Sequence, residues 1–212
     1  MADDPTVSGI MVQLPLPAHI NAERVLTYIP HDKDIDGMDP FNIGSLGMKD
    51  HTPKFVSCTP LACLELIVHS LNQKYKEEIK VSGEESASQL LRSRKVCIVG
   101  RSNIVGLPLF LLLNHYNCQI QMCHSHTSPE DLQKYIGDAE IVVACCGVPN
   151  IVKADWVQEG AIVIDVGVTY VDKEDDTRYD LYKEIEEDLQ GRISQTSSEI
   201  FGDVTFNDNI LQ

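Results

Sequence analysis

The second half of the chain alternates short apolar runs with amphipathic segments. Four runs have the length and β-branched content of buried strands, at 95–99, 119–123, 140–145 and 161–166. Helical spacing of apolar residues marks three intervening segments, near 105–115, 129–136 and 153–158. This order predicts parallel strands joined by right-handed crossovers. We therefore predict an α/β fold with a Rossmann-like parallel sheet and helices on both of its faces.

The first half has a less regular pattern, which predicts part of a smaller α/β domain. Residues 9–17 begin like a buried strand and end in two prolines, which neither an inner strand nor a helix accepts. Asn21 is a typical cap for a short helix reaching Tyr28. Thr59 and Pro60 are predicted to cap and open a longer helix.

These patterns divide the chain into four parts. We expect part of the smaller domain at 1–72 and the nucleotide-binding domain at 94–170. Between them, the polar stretch 73–93 is predicted to be a surface insertion or linker that is partly helical. The stretch 171–212 is expected to form an acidic tail that returns toward the first domain, with a solvated helix at 179–189.

The turn after the first strand of the sheet is the predicted phosphate site. Gly100 and Gly106 bracket it, and Arg101 and Ser102 lie inside it. Two glycines allow close approach of a diphosphate, and free N–H groups at the start of the next helix would supply donors. The spacing G-x-S-x-x-x-G differs from the usual G-x-G-x-x-G. An ordinary strand-to-helix turn is therefore the alternative interpretation.

The tips of the other strands indicate which dinucleotide binds. NAD sites carry a carboxylate about 20 residues beyond the glycine turn, where it holds the ribose 2′-hydroxyl. The corresponding tip, C-H-S-H-T at 123–127, contains no acid. Ser125 and Thr127, together with Arg101, could instead hold a 2′-phosphate, so the sequence favours NADP. His124 is either a further contact or a loop histidine without a role.

Small residues follow the third and fourth strands. Gly147 comes shortly after the third strand, and the D-V-G end of the fourth leads to Val168. Such edges would let a nicotinamide ribose lie flat across the sheet. We therefore add Gly147 and Val168 to the predicted cofactor contacts.

Composition excludes several classes of partner. The formal net charge of -15 argues against nucleic acid and against an anionic membrane. Seven cysteines without a C-x-x-C pair are typical of reduced thiols, and we expect no metal site. No apolar run is long enough to span a membrane, and the first residues resemble neither a signal nor a transit peptide. We therefore expect a cytoplasmic protein.

Two polar features of the first half have open interpretations. Gln13 interrupts an apolar stretch, so it is either a satisfied core amide or an active-site hydrogen-bonding group. The charged segment 30–37, which contains Asp36, is either a solvated loop or the lining of a cleft.

Motifs along most of the chain resemble the bifunctional methylenetetrahydrofolate dehydrogenase/cyclohydrolase family. They occur in the family's order: V-Q-L-P-L-P at 12–17, K-D-I-D-G at 33–37, C-T-P at 58–60, G-R-S-N-I-V-G-L-P at 100–108, C-H-S at 123–125, D-W at 155–156, V-I-D-V-G at 163–167 and G-D-V at 202–204. The resemblance implies homodimers with an active site in a cleft between a folate domain and a Rossmann domain. It makes 1–72 a partial folate-binding catalytic domain.

The resemblance also implies roles for residues and a reaction. Val12, Gln13, Leu14 and Asp36 would bind the substrate, with Gln13 positioning a catalytic lysine and Asp36 bonded to the pterin ring. The reaction would be NADP-dependent oxidation of 5,10-methylenetetrahydrofolate to 5,10-methenyltetrahydrofolate. Hydrolysis of that product to 10-formyltetrahydrofolate would follow.

Two family segments do not occur among the 212 residues. One is the Y-x-x-x-K that precedes V-Q-L-P-L-P and supplies the lysine, and the other is the P-G-G-V-G segment that follows G-D-V. We therefore expect a chain shortened at both ends with very low cyclohydrolase activity. The alternative is a catalytically silent, nucleotide-binding member. A short-chain dehydrogenase using Tyr179 and Lys183 is a third option, without the appropriate glycine pattern.

Overall fold

The computed structural model describes residues 1–75, 84–172, 198–201 and 203–204. They belong to two compact units. The first unit consists of Met1–Ser93 and Ser102–Cys118, and the second of Arg94–Arg101 and the chain from Gln119 onward. Residues 102–118 of the predicted 94–170 domain are thus grouped with the first unit. The helix predicted at 179–189, with Tyr179 and Lys183, lies outside the described residues.

The predicted parallel sheet is confirmed and is the centre of the second unit. It comprises β1 (Lys95–Val99), β2 (Gln119–Cys123), β3 (Ile141–Ala144) and β4 (Ile162–Asp165), in the order β2-β1-β3-β4. All pairs are parallel. The continuous apolar runs of β1 and β3 suit central strands, whereas β2 at the edge alternates in exposure. An antiparallel pair follows, with β5 at Thr169–Asp172 and β6 at Ser198–Phe201.

Helix α6 (Pro129–Gly137) packs into the core of the second unit, as predicted. Ser128 caps it by accepting a hydrogen bond from Asp131 N, and Leu132 and Ile136 are buried. The helix predicted at 153–158 is only a 3-10 turn at Ala154–Trp156. Its N-cap, Lys153, makes no side-chain cap bond, and Val157 returns to an extended conformation.

The first unit contains five helices within the described residues. They are α1 (Ala22–Leu26), α2 (Pro40–Gly47), α3 (Cys58–Lys74), α4 (Glu84–Leu91) and α5 (Gly106–His115). The Asn21 cap of α1 is confirmed, because its side chain accepts from Arg24 N at 2.9 Å. Helix α2 was not predicted, although Asp39 followed by Pro40 is a strong start signal. Helix α3 begins one residue before the predicted Thr59 cap, with Ser57 at the cap position.

The prediction of a surface insertion at 73–93 is wrong for its described C-terminal part. Ala87, Leu90 and Leu91 of α4 are buried, and α4 packs on α3. Their i, i+3, i+4 spacing gives one apolar helical face, which the high polarity of the surrounding sequence concealed. Residues 76–83 lie outside the described part of the chain.

The predicted strand at 9–17 is also wrong. Within the described chain, Ile10 makes a single parallel bridge with Asp34, and residues 11–17 belong to no strand. A strand needs a neighbour for its backbone groups, and Pro15 and Pro17 have no N–H to offer. In the part of the chain that the structure describes, no helix is long and apolar enough to cross a membrane.

Candidate functional site

A cavity in the first unit brings together segments that are distant in sequence. Its volume is about 220 Å³. Ten residues line it: Met11, Val12, Gln13, Leu14, Asp36, Met38, Ser57, Cys58, Thr59 and Ile104. All four predicted substrate-site residues are among them, together with two residues of the C-T-P motif. The cavity therefore joins the V-Q-L-P, D-I-D-G and C-T-P segments, while the roles of its residues remain predictions.

Backbone packing fixes the loop that carries Asp36. The Ser57 hydroxyl donates to Asp36 O at 2.8 Å. Gly37 has a φ of +64°, and a Cβ there would lie 2.8 Å from Phe55 O, so this position requires glycine. Burial and, secondly, the charge of Asp34 raise the pKa of the Asp36 carboxyl above its ordinary value. Asp36 therefore keeps its proton to a higher pH than a solvated aspartate.

The interpretation of 30–37 as a solvated loop is excluded. Asp34 is only 3% exposed, and its Oδ2 accepts from Asp39 N at 2.7 Å. The adjacent residue Lys33 is bonded to the segment that leads into the V-Q-L-P motif, because Ile10 N donates to Lys33 O at 2.7 Å. Asp36 of this segment lines the cavity, and hydrogen bonds of Asp34 and Lys33 hold the segment in place.

Gln13 is exposed, so the core-amide interpretation is wrong. Its Nε2 donates to Leu14 O at 3.2 Å. The side chain lines the cavity and is accessible to a ligand.

In the second unit, the carboxyl ends of β1 and β3 lie where the strand order reverses. The chain passes from β1 to β2 on one side and then returns to β3 on the other. Gly100 N donates to Cys123 O at 2.9 Å, and Cys145 N donates to Val99 O at 2.9 Å. A Cβ at Gly100 would lie 2.7 Å from Cys145 O. Such reversal points are where open α/β sheets bind nucleotides.

Arg101 and Ser125 occupy equivalent places beyond two adjacent strands. Val99 and Cys123, the last residues of β1 and β2, are register partners. Arg101 lies two positions after Val99, and Ser125 lies two positions after Cys123. Both are exposed. Their side chains are therefore available to one ligand at this edge of the sheet.

The prediction of free N–H donors at the start of α5 is wrong for the groups nearest the helix. Ser102 Oγ accepts from Val105 N at 3.1 Å and from Gly106 N at 3.5 Å, and Ser102 O accepts from Leu107 N at 3.0 Å. A serine hydroxyl within reach satisfies helix-terminal amides as a cap does. Ser102 was predicted only as a ligand contact, so this local role is new.

The tip after β2 is a closed turn. His124 N donates to the Thr127 hydroxyl at 3.0 Å, and Thr127 N donates to His124 O at 2.8 Å. His126 N donates to His124 Nδ1 at 3.2 Å. Both predicted contacts, His124 and Thr127, thus shape the turn that presents Ser125.

Asp165 and Asp203, to which the sequence analysis gave no role, organise the tips of β3 and β4. Asp203 Oδ2 accepts from Cys146 N at 2.7 Å and from Gly147 N at 3.0 Å. Asp165 Oδ1 accepts from Gly167 N and Asp203 N, each at 3.1 Å. Burial is the main reason that the pKa of Asp165 is raised. The V-I-D-V-G and G-D-V motifs were the available signals.

The two predicted nicotinamide-side residues, Gly147 and Val168, follow the strands β3 and β4. Gly147 has a φ of +65°, and nothing described lies within 4 Å of a Cβ added there. Val168 is 54% exposed. Among the described residues, no group of three His, Cys, Asp or Glu side chains could hold a metal ion.

The parallel sheet and its glycine-bearing reversal point define a Rossmann-type nucleotide-binding protein. Residues 84–210 match the profile described as the NAD(P)-binding domain of tetrahydrofolate dehydrogenase/cyclohydrolase, and residues 1–36 match the profile of its catalytic domain. The chain therefore belongs to the tetrahydrofolate dehydrogenase/cyclohydrolase family.

Individual relatives agree with this assignment. "Bifunctional protein FolD 2" of Arabidopsis thaliana is 45% identical over 168 residues, which are 79% of this chain and 50% of that protein. "Bifunctional protein FolD" of Wolbachia pipientis wMel is 42% identical over 169 residues, or 80% of this chain and 51% of that protein. The chain thus spans about half the length of these curated relatives.

Solved structures of the family have the same fold. The Trypanosoma brucei dehydrogenase-cyclohydrolase, complexed with NADP and an inhibitor, superposes with a TM-score of 0.71 at 28% identity. The match covers 96% of this chain and 57% of that one. The Campylobacter jejuni enzyme gives a TM-score of 0.68 at 30% identity, with 99% and 58% coverage.

Proposed function

We propose that this chain acts in folate one-carbon metabolism as an NADP-dependent 5,10-methylenetetrahydrofolate dehydrogenase and 5,10-methenyltetrahydrofolate cyclohydrolase. The observation that carries the proposal is the cavity of the first unit, where three motif segments of a family member meet. The bifunctional names of the relatives and the NADP complex of the Trypanosoma brucei structure support it.

The cavity suits a folate ring system. Val12, Leu14, Met38 and Ile104 supply apolar contact area, and a few polar groups can fix the orientation of a flat ring. Asp36, which keeps its proton to higher pH, can donate a hydrogen bond as an acid or accept bonds as a carboxylate. We assign Asp36 to the ring nitrogens of the pterin and Gln13 to the edge of the reacting centre.

The residues of the second unit fit a phosphorylated dinucleotide. Gly100 keeps the backbone free of a side chain where a diphosphate must come close, and Arg101 and Ser125 can hold a 2′-phosphate. The open space beside Gly147 suits a flat ring. When bound, NADP supplies the acceptor for a hydride from the methylene carbon of the folate.

A second candidate is a nucleotide-binding member without cyclohydrolase activity. Water addition to the methenyl carbon, followed by cleavage of its bond to N5, requires a group that transfers protons near neutral pH. The ionisable side chains among the described lining residues are Asp36 and Cys58, with no lysine. The absence of a lysine from this lining is the observation that supports the second candidate.

Two half-reactions assayed on the purified chain separate these functions. Reduction of NADP with methylenetetrahydrofolate, abolished in Asp36→Ala, would establish the dehydrogenase. Formation of 10-formyltetrahydrofolate from the methenyl compound would establish the cyclohydrolase. Calorimetric binding of NADP without either reaction would identify the silent member, and absence of NADP binding would contradict both candidates.

Arg101→Ala tests the cofactor assignment. Loss of a charge-assisted contact to the 2′-phosphate should weaken NADP about tenfold or more while NAD changes little. Equal losses for the two dinucleotides would remove Arg101 from the phosphate site. Lys153→Ala, at another exposed position of the second unit, is the control.

The cellular compartment and the assembly are further parts of the proposal. All seven cysteines are free thiols, which fits a reducing compartment such as the cytoplasm. We also propose a homodimer that binds no nucleic acid and no membrane. Fluorescent tagging in cells tests the compartment, and light scattering on the purified chain tests the homodimer. A mitochondrial or plastid signal would overturn the cytoplasmic placement.

A further inference from the structure

The carboxylate of Asp203 is fully buried at the carboxyl ends of β3 and β4. Its Oδ2 receives three donors, Cys146 N at 2.7 Å, Gly147 N at 3.0 Å and the Cys146 thiol at 3.4 Å. Within the described residues, Oδ1 has no hydrogen-bond partner. Burying a carboxyl group is costly, and an unpaired oxygen adds to the cost, so packing alone does not account for an acid here.

Hydrogen bonds hold the backbone around Asp203 on both sides, and its carboxylate faces the turn after β3. Asp203 N donates to Asp165 Oδ1 at 3.1 Å, and Val204 N donates to Asp165 Oδ2 at 3.1 Å. On the other side, Val152 N donates to Asp203 O at 3.0 Å. Gly167 provides the necessary space, because a Cβ there would overlap the Asp203 carboxyl group.

We propose that Asp203 is a positioning residue for the nicotinamide half of the cofactor, acting through the Cys146 and Gly147 turn. The inference rests on the proposed NADP binding. With the phosphate turn after β1 and the 2′-phosphate contacts beyond β2, the adenosine half lies on the β2 side of the reversal point. The other half of a dinucleotide then extends toward β3 and β4.

The turn that Asp203 holds has the form that a flat ring needs. Gly147 has a φ of +65°, and nothing described occupies the space beside its α-carbon. One carboxylate oxygen that accepts from two successive amides fixes the orientation of both peptide planes. Removing that oxygen leaves two amides without an acceptor and lets the turn relax into the open space.

Two ligands separate a positioning role from general support of the fold. NADP and 2′-phospho-ADP-ribose share the adenosine and diphosphate groups, and only NADP carries nicotinamide. Asp203→Ala should weaken NADP about tenfold while the nicotinamide-free ligand changes less than about twofold. Calorimetric titration of both ligands measures this ratio. Equal losses for the two ligands, or no loss for either, would overturn the inference.

Companion variants keep the test decisive if Asp203→Ala unfolds. Asp203→Asn retains one oxygen for the two amides, so its ligand ratio should stay within about twofold of the original chain. Gly167→Ala should reproduce the selective loss by displacing the carboxylate. Ile136→Ala, a core variant on α6, should lower the melting temperature and leave the ratio unchanged. Selective loss in Asp203→Asn, or none in Gly167→Ala, would contradict the proposed contact.

The same titrations separate this inference from the proposed function. If the original chain binds neither ligand, NADP binding itself is wrong. If it binds both and the Asp203 variants bind both equally well, NADP binding stands and the positioning role is wrong. Asp155→Ala, an exposed acidic position in the same unit, should match the original chain in both titrations.

Discussion

Replacement of Gly100 by alanine tests the close approach at the reversal point of the sheet. Gly100 has a φ of +134°, a region that side chains rarely adopt. An added Cβ would lie 2.7 Å from Cys145 O, 2.8 Å from Cys145 Sγ and 2.9 Å from Cys145 C. Two of these atoms belong to the backbone, so a simple side-chain rotation cannot remove the clash.

The expected cost has two parts. A residue with a side chain at positive φ costs about 1–2 kcal/mol, and overpacking in a close-packed interior costs about 1–3 kcal/mol more. Gly100→Ala should therefore reduce the free energy of unfolding by about 2–5 kcal/mol, from a typical total of about 5–15 kcal/mol. For a chain of this size the melting temperature should fall by about 4–20 °C.

Gly147→Ala is a matched control for this calculation. Its φ of +65° imposes conformational strain, but nothing described lies within 4 Å of the added Cβ. Only the first part of the cost applies, about 1–2 kcal/mol. Thermal and urea unfolding of both variants measure the difference. If Gly147→Ala is destabilised as much as Gly100→Ala, the close contact with Cys145 contributes nothing and the reasoning is refuted.

Three further predictions concern ionisable and capping groups. Asp36→Asn should stabilise the chain at pH 7 by less than about 1 kcal/mol, because the raised pKa makes the ionised carboxylate unfavourable in the folded chain. The gain should vanish below pH 3.8, where Asp36 is protonated in both the folded and the unfolded chain. A constant gain between these pH values would contradict the raised pKa. Ser102→Ala should cost about 1 kcal/mol in urea unfolding because Val105 N and Gly106 N lose their acceptor before α5, whereas exposed Ser125→Ala should cost little. Burial, and secondly the charge of Asp203, raise the pKa of Cys146 to about 11. At pH 8 exposed Cys58 should therefore react with iodoacetamide well before half-buried Cys146 in mass-spectrometric mapping, and equal rates would refute the raised pKa of Cys146.

The sheet was predictable because a central parallel strand is apolar on both faces. The apolar runs at 95–99 and 140–145 contain β1 and β3, the two central strands, which are almost completely buried. The stretch 9–17 has a similar composition and forms no strand. Composition reports burial, whereas strand formation also depends on a partner that a local pattern does not contain.

The structure brings the four predicted substrate-site residues to one cavity, while their roles stay predictions. Gln13 and Asp36 line one cavity, as the motifs that contain them suggested. The G-D-V motif marks Asp203 but not its contacts, because its partners Cys146 and Gly147 lie 57 and 56 positions away. The role of Ser102 as a cofactor contact stays a prediction, but its hydroxyl also accepts hydrogen bonds from two amides that had been assigned to a phosphate.

The turn after β3 is constrained from two directions, and each constraint depends on a glycine. Gly100 admits the Cys145 backbone on the β1 side, and Gly167 admits the Asp203 carboxylate that holds the next two amides. Both positions require glycine because an added Cβ would overlap a neighbouring group, whatever the value of φ. The geometry of the proposed nicotinamide side therefore depends on one close backbone approach, at Gly100, and on one close approach of a carboxylate, at Gly167.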